Sequence, residues 1–299
     1  ITLKRLWYKN KIWVAGETGD TYTHPDYRGG KRKSFTTTTE TSTVSSQKST
    51  YLQKSIFGRL VHENTLRAMD KDVRIIYGTP NDNSRPGYEK RLNYKSHPMQ
   101  EKHLIRPTVR GIQSSIGNDG LRWLFNKSFI FNGMSKIERL LELISYNYWM
   151  KKKERCEITI NKIDQATAEI DQLWEQNKEN HVFCLVRDRA YYQHRFFDNP
   201  LADYNVYEAK VRGVISGIIV TCIKQDESGR NFCWISDWFL DKTNADLFAV
   251  MLAHVIHEQN LQKNHAFMTW SDSNHNAFYK QGFFLKSKVP IIILQTPEG

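Results

Sequence analysis

Apolar and polar positions follow two regular periods from residue 155 to residue 299. Alternation with a period of two predicts strands at 156–163, 205–211, 214–224, 231–240 and 265–270, and a strand pair within 283–296. Apolar residues at helical spacing predict helices at 164–176, 187–200, 244–262 and 273–282. This order of elements predicts an α/β domain with a mixed sheet over residues 155–299.

The first hundred residues repeat only the later part of this order. The pattern predicts strands within 9–25, a helix at 55–69, a strand at 73–79 and a short helix at 81–94. It predicts no strand before residue 9. We therefore expect residues 1–99 to form an incomplete version of the same unit.

Residues 100–154 separate the two units. Amphipathic patterns predict helices at 119–129 and 135–152, and the Leu, Ile, Trp and Phe content is too high for a flexible linker. We expect a packed helical connector here. The one low-complexity stretch of the chain, rich in Ser and Thr, spans 34–50.

The composition is that of a soluble globular protein, with 39% apolar and 25% charged residues among 299. The net charge of +11 favours an anionic partner such as a phosphate-bearing small molecule. The basic runs are short and no nucleic-acid-binding motif accompanies them, so we expect no nucleic-acid partner. The chain has neither a long apolar run nor a signal-peptide pattern. We therefore predict a cytoplasmic protein without membrane insertion.

Cysteine and histidine give no sign of a metal site. The four cysteines occur singly in apolar, strand-like stretches, which predicts reduced thiols in the core: Cys156, Cys184, Cys222 and Cys233. The ten histidines show no metal-ligand spacing. We expect no metal.

Several longer segments carry a resemblance to a known family. The segments "GDTYTHPDYRG" (19–29), "SIFGRL" (55–60) and "YGTPNDNSRPGYEKRLNY" (77–94) resemble the first half of tandem GNAT-type N-acyltransferases. Three later segments resemble the second half of the same proteins: "IDQLWEQ" (170–176), "VRDRAYYQHRFFDNPLADYNVY" (186–207) and "NHNAFYKQGF" (274–283). The resemblance covers nearly the whole chain apart from residues 30–54.

The resemblance implies two GNAT-like acyl-CoA N-acyltransferase domains, the first incomplete. It implies direct transfer of an acyl group from acetyl-CoA to a primary amine of a small molecule or an amino sugar. In this family a splayed strand offers N–H groups to the thioester carbonyl, and a glycine-containing loop that opens a helix holds the pyrophosphate. The corresponding coenzyme A-binding residues here are Tyr22, Thr23, Arg28, Gly29, Gly30, Ser55, Ile56, Phe57, Gly58 and Asn81.

An insertion interrupts this cofactor loop. Arg28 and Gly29 lie before residues 30–54, and Ser55 follows them where the family pattern has glycine. Three explanations remain open. The insertion is a surface excursion that leaves the loop intact, since closure entropy grows slowly with length; it has abolished cofactor binding; or it is an error in the deduced sequence.

The resemblance also suggests the catalytic groups of the first unit. Asn81 and Tyr88 have the family's seven-residue spacing, which makes Tyr88 the candidate acid that protonates the departing thiolate. Glu17 and Asp20, on the presumed splayed strand, are candidate bases for the amine. The alternatives are a packed tyrosine, solvated carboxylates and a water molecule acting as the base.

The second unit lacks the corresponding chemistry. Residues 238–248 contain no spaced glycines after the strand, and Phe278 occupies the position of the acidic tyrosine. Tyr279 adjoins Phe278 but is expected to point elsewhere on the helix. We therefore expect this unit to support the fold or shape the acceptor cleft. A non-catalytic binding or scaffold protein with the same fold is the alternative function.

Overall fold

The computed structural model describes residues 1–18, 56–82, 84–116, 129–241, 246–259, 263–271 and 275–295. These divide into two compact units. The first unit comprises residues 1–100, 183–185 and 289–299, and the second comprises 101–182 and 186–288. The Ser- and Thr-rich stretch at 34–50 and almost all of the predicted helix at 119–129 lie outside the described residues.

A hairpin begins the first unit. Strands β1 (Thr2–Tyr8) and β2 (Lys11–Glu17) pair antiparallel along their whole length. Lys9 and Asn10 form the two-residue turn, and both have positive φ, as tight hairpin turns of this length require. The sequence pattern predicted no strand before residue 9, and this prediction was wrong because β1 lies there. Only Leu6 and Trp7 of β1 are well buried, and as neighbours they give no alternating pattern.

The predicted helix, strand and short helix of the first unit are confirmed. They are α1 (Ile56–Met69), β3 (Ile75–Gly78) and α2 (Arg85–Arg91). Strand β3 runs parallel to β2 and antiparallel to the second half of β11 (Phe284–Gln295). The short strand β6 (Phe183–Leu185) pairs with β1, so the strand order in this unit is β6-β1-β2-β3-β11.

One face of α1 packs into the core of the first unit and contributes Val61 and Ala68 to it. Its buried positions recur at helical spacing, as expected of an amphipathic helix. The core cluster comprises Val61, Ala68, Val73, Ile76, Tyr88, Tyr94 and Ile292.

The second unit contains most of the regular structure predicted for residues 155–299. Its elements include β4 (Lys95–Pro107, from residue 101), α3 (Val109–Ser115), α4 (Phe129–Arg155), β5 (Ile158–Ile163), α5 (Glu169–Asn177), α6 (Arg189–Tyr192), β7 (Tyr204–Val211), β8 (Val214–Gln225), β9 (Asn231–Leu240), α7 (Leu247–Glu258), β10 (Ala266–Ser271) and α8 (His275–Lys280). The strand order is β5-β7-β8-β9-β10-β4. Helix α7 is buried on nearly every side, so its apolar surface is wider than a single stripe.

Two predictions about strands were wrong. The connector at 100–154 is not purely helical, because β4 enters it and pairs antiparallel with β10. Residues 283–296 form the single strand β11 rather than a strand pair. Pro290 interrupts the strand pattern there, but it lies outside the stretch Ile292–Gln295 that pairs with β3.

The cysteines are free, as predicted. Cys222 and Cys233 are buried in the second unit, and Cys156 and Cys184 are partly buried.

No helix in the described part of the chain combines the length and apolarity needed to cross a membrane.

A buried ion pair joins Arg187 to Asp237 of β9. Arg187 donates from Nε to Oδ1 of Asp237 over 3.1 Å, and the Tyr191 hydroxyl donates to Oδ2 over 2.8 Å. Burial opposes the charge on Arg187, but the Asp237 carboxylate outweighs it and raises the pKa of Arg187. Because this pair is closed off and fully bonded, it supports the fold rather than forming an open site.

Candidate active site

Strands β2 and β3 lie parallel with α1 between them in the chain. Their ladder pairs Ala15 with Ile75 and ends where the Thr18 amide donates to the Tyr77 carbonyl over 2.8 Å. In such a unit the crossing helix begins at the carboxyl edge of the strands, which is where ligands bind in open α/β sheets. This edge is therefore the candidate site of the first unit.

Tyr88 places a phenol at this edge. Its side chain is 4% exposed, and its hydroxyl lies 3.0 Å from the Thr18 hydroxyl at the end of β2. The Phe57 and Tyr94 rings meet the Tyr88 ring edge-on, with centroids 5.2 and 5.1 Å away. These contacts hold Tyr88 between the beginning of α1 and the end of β2.

Gly87 permits the approach of α1 to α2. A Cβ on Gly87 would lie 2.9 Å from Cε1 of Phe57, which is too close for any other residue without a shift. Phe57 thus packs over Gly87 and against Tyr88. The sequence pattern does not identify this contact, because 30 positions separate Phe57 from Gly87.

Asn81 shapes the start of α2. Its Oδ1 accepts from the Ser84 amide over 2.9 Å and from the Ser84 hydroxyl over 3.0 Å. Its carbonyl accepts from the Arg85 amide over 2.9 Å. In this arrangement Asn81 organises the turn that presents α2, and hence Tyr88, to the candidate site.

Of the two candidate bases, Glu17 is the one that lies within the described residues. It ends β2, its side chain is 42% exposed, and Lys4 lies 3.1 Å from its carboxylate. Asp20, the other candidate, lies outside the described residues. Glu17 therefore combines access to solvent with a neighbouring cation.

Three of the four described coenzyme A-binding candidates lie at the beginning of α1, and the fourth, Asn81, lies before α2. Ile56 is the first residue of α1, Phe57 contacts Tyr88, and Gly58 is buried. The first turn of this 14-residue helix has no acidic residue, so no carboxylate there opposes a phosphate at the positive end of the helix. Six other candidates lie outside the described residues: Tyr22, Thr23, Arg28, Gly29, Gly30 and Ser55.

The second unit has a similar pair of parallel strands with a helix between them, but Phe278 lies in its aromatic cluster where the first unit has the Tyr88 hydroxyl. Strands β9 and β10 are parallel, α7 lies between them in the chain and α8 follows. Phe278 meets Phe248 at 5.2 Å and Phe283 at 5.1 Å, close to the distances around Tyr88. Trp238 also packs on Phe278, which is fully buried. Tyr279, the next residue, is 46% exposed.

Solved structures match this architecture. A GCN5-related N-acetyltransferase from Anabaena variabilis matches over 97% of this chain at 11% identity, with a TM-score of 0.53. A probable N-acyltransferase from Enterococcus faecalis matches over 98% at 12% identity and a TM-score of 0.52. The chain has the fold of the GCN5-related N-acetyltransferases. It spans 57% of the length of each of these two proteins.

The same GNAT fold relates the chain to a larger enzyme. Saccharomyces cerevisiae N-myristoyltransferase with bound myristoyl-CoA matches over 98% of this chain and 65% of its own, at 9% identity and a TM-score of 0.54. Comparison of the sequence with protein-family models and with curated proteins gives no match. The GNAT assignment thus rests on shape, and residue roles must come from the geometry of this chain.

Thr18 belongs to this candidate site by its contact with Tyr88, and the sequence pattern does not identify it. It is separated from Tyr88 by 70 positions, and no local pattern marks a hydroxyl contact of that range. Among the described residues, no group of three or more His, Cys, Asp or Glu side chains is placed to hold a metal ion.

Proposed function

We propose that this protein is an acyl-CoA-dependent N-acyltransferase that uses acetyl-CoA as donor. The acceptor is a primary amine on a small molecule or an amino sugar. The observation that carries this proposal is the buried Tyr88 hydroxyl at the carboxyl edge of a parallel strand pair, beside the beginning of α1. The resemblance of the surrounding segments to GNAT-type enzymes supports it.

The proposed chemistry is direct transfer. The acceptor amine attacks the thioester carbonyl, and the backbone N–H groups of Tyr22 and Thr23 are proposed to stabilise the developing negative charge. Breakdown forms the amide and breaks the carbon–sulfur bond. Tyr88 then gives its proton to the departing sulfur, while Glu17 or Asp20 takes the proton from the amine.

Coenzyme A is proposed to bind through its phosphates. The N–H groups at the start of α1 are proposed to act together with Arg28, Gly29, Gly30 and Ser55, which precede this helix in the chain. The net charge of +11 favours such an anion. The second unit is proposed to be a degenerate tandem copy, since Phe278 has no proton to donate. We propose a cytoplasmic location on the sequence grounds given above.

Calorimetric titration with acetyl-CoA tests this proposal. The full chain is compared with a variant that lacks residues 30–54, and circular dichroism checks that both are folded. Micromolar binding by the full chain supports an intact cofactor loop, and binding only by the deletion variant supports an interrupted one. Folded proteins that bind no acetyl-CoA in either form would contradict the enzyme proposal and favour the scaffold alternative.

Thr18 provides a test of how Tyr88 is positioned. Replacing Thr18 by Val removes a hydroxyl 3.0 Å from the Tyr88 hydroxyl while preserving the side-chain shape. We expect the rate of acyl transfer to fall about 10-fold, because one oriented hydrogen bond is lost. The rate is measured as acetyl-CoA consumption with a panel of primary amines.

Two variants control this experiment. Thr18→Ser retains the hydroxyl and should keep most of the rate. Thr65→Val removes a hydroxyl that lies 3.4 Å from the Tyr94 hydroxyl in the same core, and its rate should match the parent. Equal rates for Thr18→Val and Thr18→Ser would show that the Thr18 hydroxyl does not position Tyr88.

A further inference from the structure

A cavity of about 410 Å³ lies within the second unit, and none of its lining residues is one proposed for catalysis. It is bounded by the end of β4, the start of α3, the first half of α4 and the end of α8. Much of its lining is apolar: Val109, Met134, Ile137 and Leu141. The volume falls in the range of small-molecule sites.

Arg106 presents a cation to this cavity, in the electrostatic field of the Glu138 and Glu142 carboxylates. Its side chain is partly buried and makes no hydrogen bond or ion pair with any of the residues that the structure describes. Burial lowers the pKa of Arg106, against the opposing effect of the Glu138 and Glu142 carboxylates. A partly desolvated guanidinium without a hydrogen-bonded partner carries a free-energy cost that a bound anion removes.

The two neighbouring carboxylates, those of Glu138 and Glu142, are hydrogen-bonded to groups other than Arg106. Glu138 accepts from the Val109 amide over 3.0 Å. Glu142 lies 2.8 Å from Nδ1 of His257 and is 12% exposed. Lys280 also lines the cavity and, within the described part of the chain, has no bonded partner. The cavity's two cations thus keep open donors, whereas each of its two carboxylates already has a bonded partner.

The backbone after α8 lies close to the guanidinium. Gly282 has φ +79°, and a Cβ there would lie 3.6 Å from Nε of Arg106, which is an ordinary van der Waals distance. The positive φ is the conformation that favours glycine just after the end of a helix. Gly282 therefore forms part of the cavity wall beside the cation.

The apolar wall continues outward along α4. Met134, Ile137 and Leu141 are 38%, 58% and 61% exposed, which is high for residues of their size and type. They follow helical spacing and so share one face of α4. An anion held at Arg106 would have this wall beside its apolar portion.

We propose that this cavity binds a carboxylate with an apolar tail, such as a medium-chain fatty acid. The carboxylate lies between Arg106 and Lys280, and the tail lies along Met134, Ile137 and Leu141. All of these residues belong to the second unit. The site is therefore independent of the proposed acyltransferase function.

Calorimetric titration of the full chain with sodium octanoate tests this site. Acetate lacks the tail, and octylamine has the tail with the opposite charge. We expect octanoate to bind at least 10-fold more tightly than either. Equal binding of octylamine and octanoate, or no binding of octanoate, would overturn the proposal.

Charge variants locate the site. Arg106→Gln should weaken octanoate binding at least 10-fold. Lys136→Gln removes an exposed cation of α4 that does not line the cavity and should leave binding unchanged. Leu141→Asp places a carboxylate in the cavity wall on an exposed position and should also weaken binding, which keeps the test decisive if Arg106→Gln fails to fold. Octanoate affinity that survives both Arg106→Gln and Leu141→Asp in folded protein would refute the site.

Discussion

Replacement of Tyr88 by Phe is expected to lower the rate of acyl transfer about 100-fold, because a positioned general acid contributes at least that factor. The ring contacts with Phe57 and Tyr94 remain, so the fold should persist. Loss of the hydroxyl leaves Thr18 without this hydrogen bond, which costs about 1 kcal/mol of stability. The rate is followed as acetyl-CoA consumption with primary amines, and acetyl-CoA affinity by calorimetry should not change.

Tyr94→Phe is the matched control for this prediction. Tyr94 packs on the same ring cluster and is 3% exposed, but its hydroxyl faces Thr65 at 3.4 Å. Burial raises the pKa of Tyr94 to about 12, so this phenol is poorly suited to give up a proton. We expect Tyr94→Phe to retain the parent rate. Equal losses in the two variants would assign the effect to packing rather than to proton donation.

Replacement of Gly111 by Ala is expected to destabilise the second unit by about 3 kcal/mol, since overpacking against backbone has no cheap relaxation. A Cβ on Gly111 would lie 1.9 Å from the carbonyl oxygen of His265. The same carbonyl accepts from the Thr108 amide over 3.1 Å, which holds the start of α3 against the start of β10. The free energy of unfolding is measured by urea titration.

Gly133→Ala tests whether this loss is specific. Gly133 lies inside α4, and a Cβ there would meet no atom of the described residues within 4 Å. Alanine is favoured over glycine in a helix by about 1 kcal/mol, so this variant should be slightly more stable than the parent. A similar loss in both variants would show that the close approach of Gly111 to His265 is not the cause.

The sequence patterns predicted a helix or strand correctly where its apolar residues kept one spacing over the whole element. The helix predicted at 55–69 is α1, and the strands predicted at 205–211, 214–224 and 231–240 are β7, β8 and β9. Each has a buried face long enough to repeat its period several times. By contrast, β4 has mostly polar residues and contains Pro98, so its pairing with β10 leaves little trace in the pattern.

The candidate site was predicted in part. Tyr88 and the start of α1 were identified by resemblance, and the structure brings Phe57 and Tyr88 together. Thr18 was missed, as was the packing of Phe57 over Gly87. The remaining predicted site residues lie outside the described part of the chain, so their role stays a prediction.

The sequence by itself determined the periods of the main helices and strands, the α/β class and the tyrosine at the helix after β3, because these depend on residues close together in the chain. Tertiary structure alone decided which distant groups meet. Thr18 reaches Tyr88 across 70 positions and Arg187 reaches Asp237 across 50, while Arg106 is partly buried and has no hydrogen-bonded partner among the residues that the structure describes. Such contacts depend on how strands and helices pack, and local spacing carries no information about that packing.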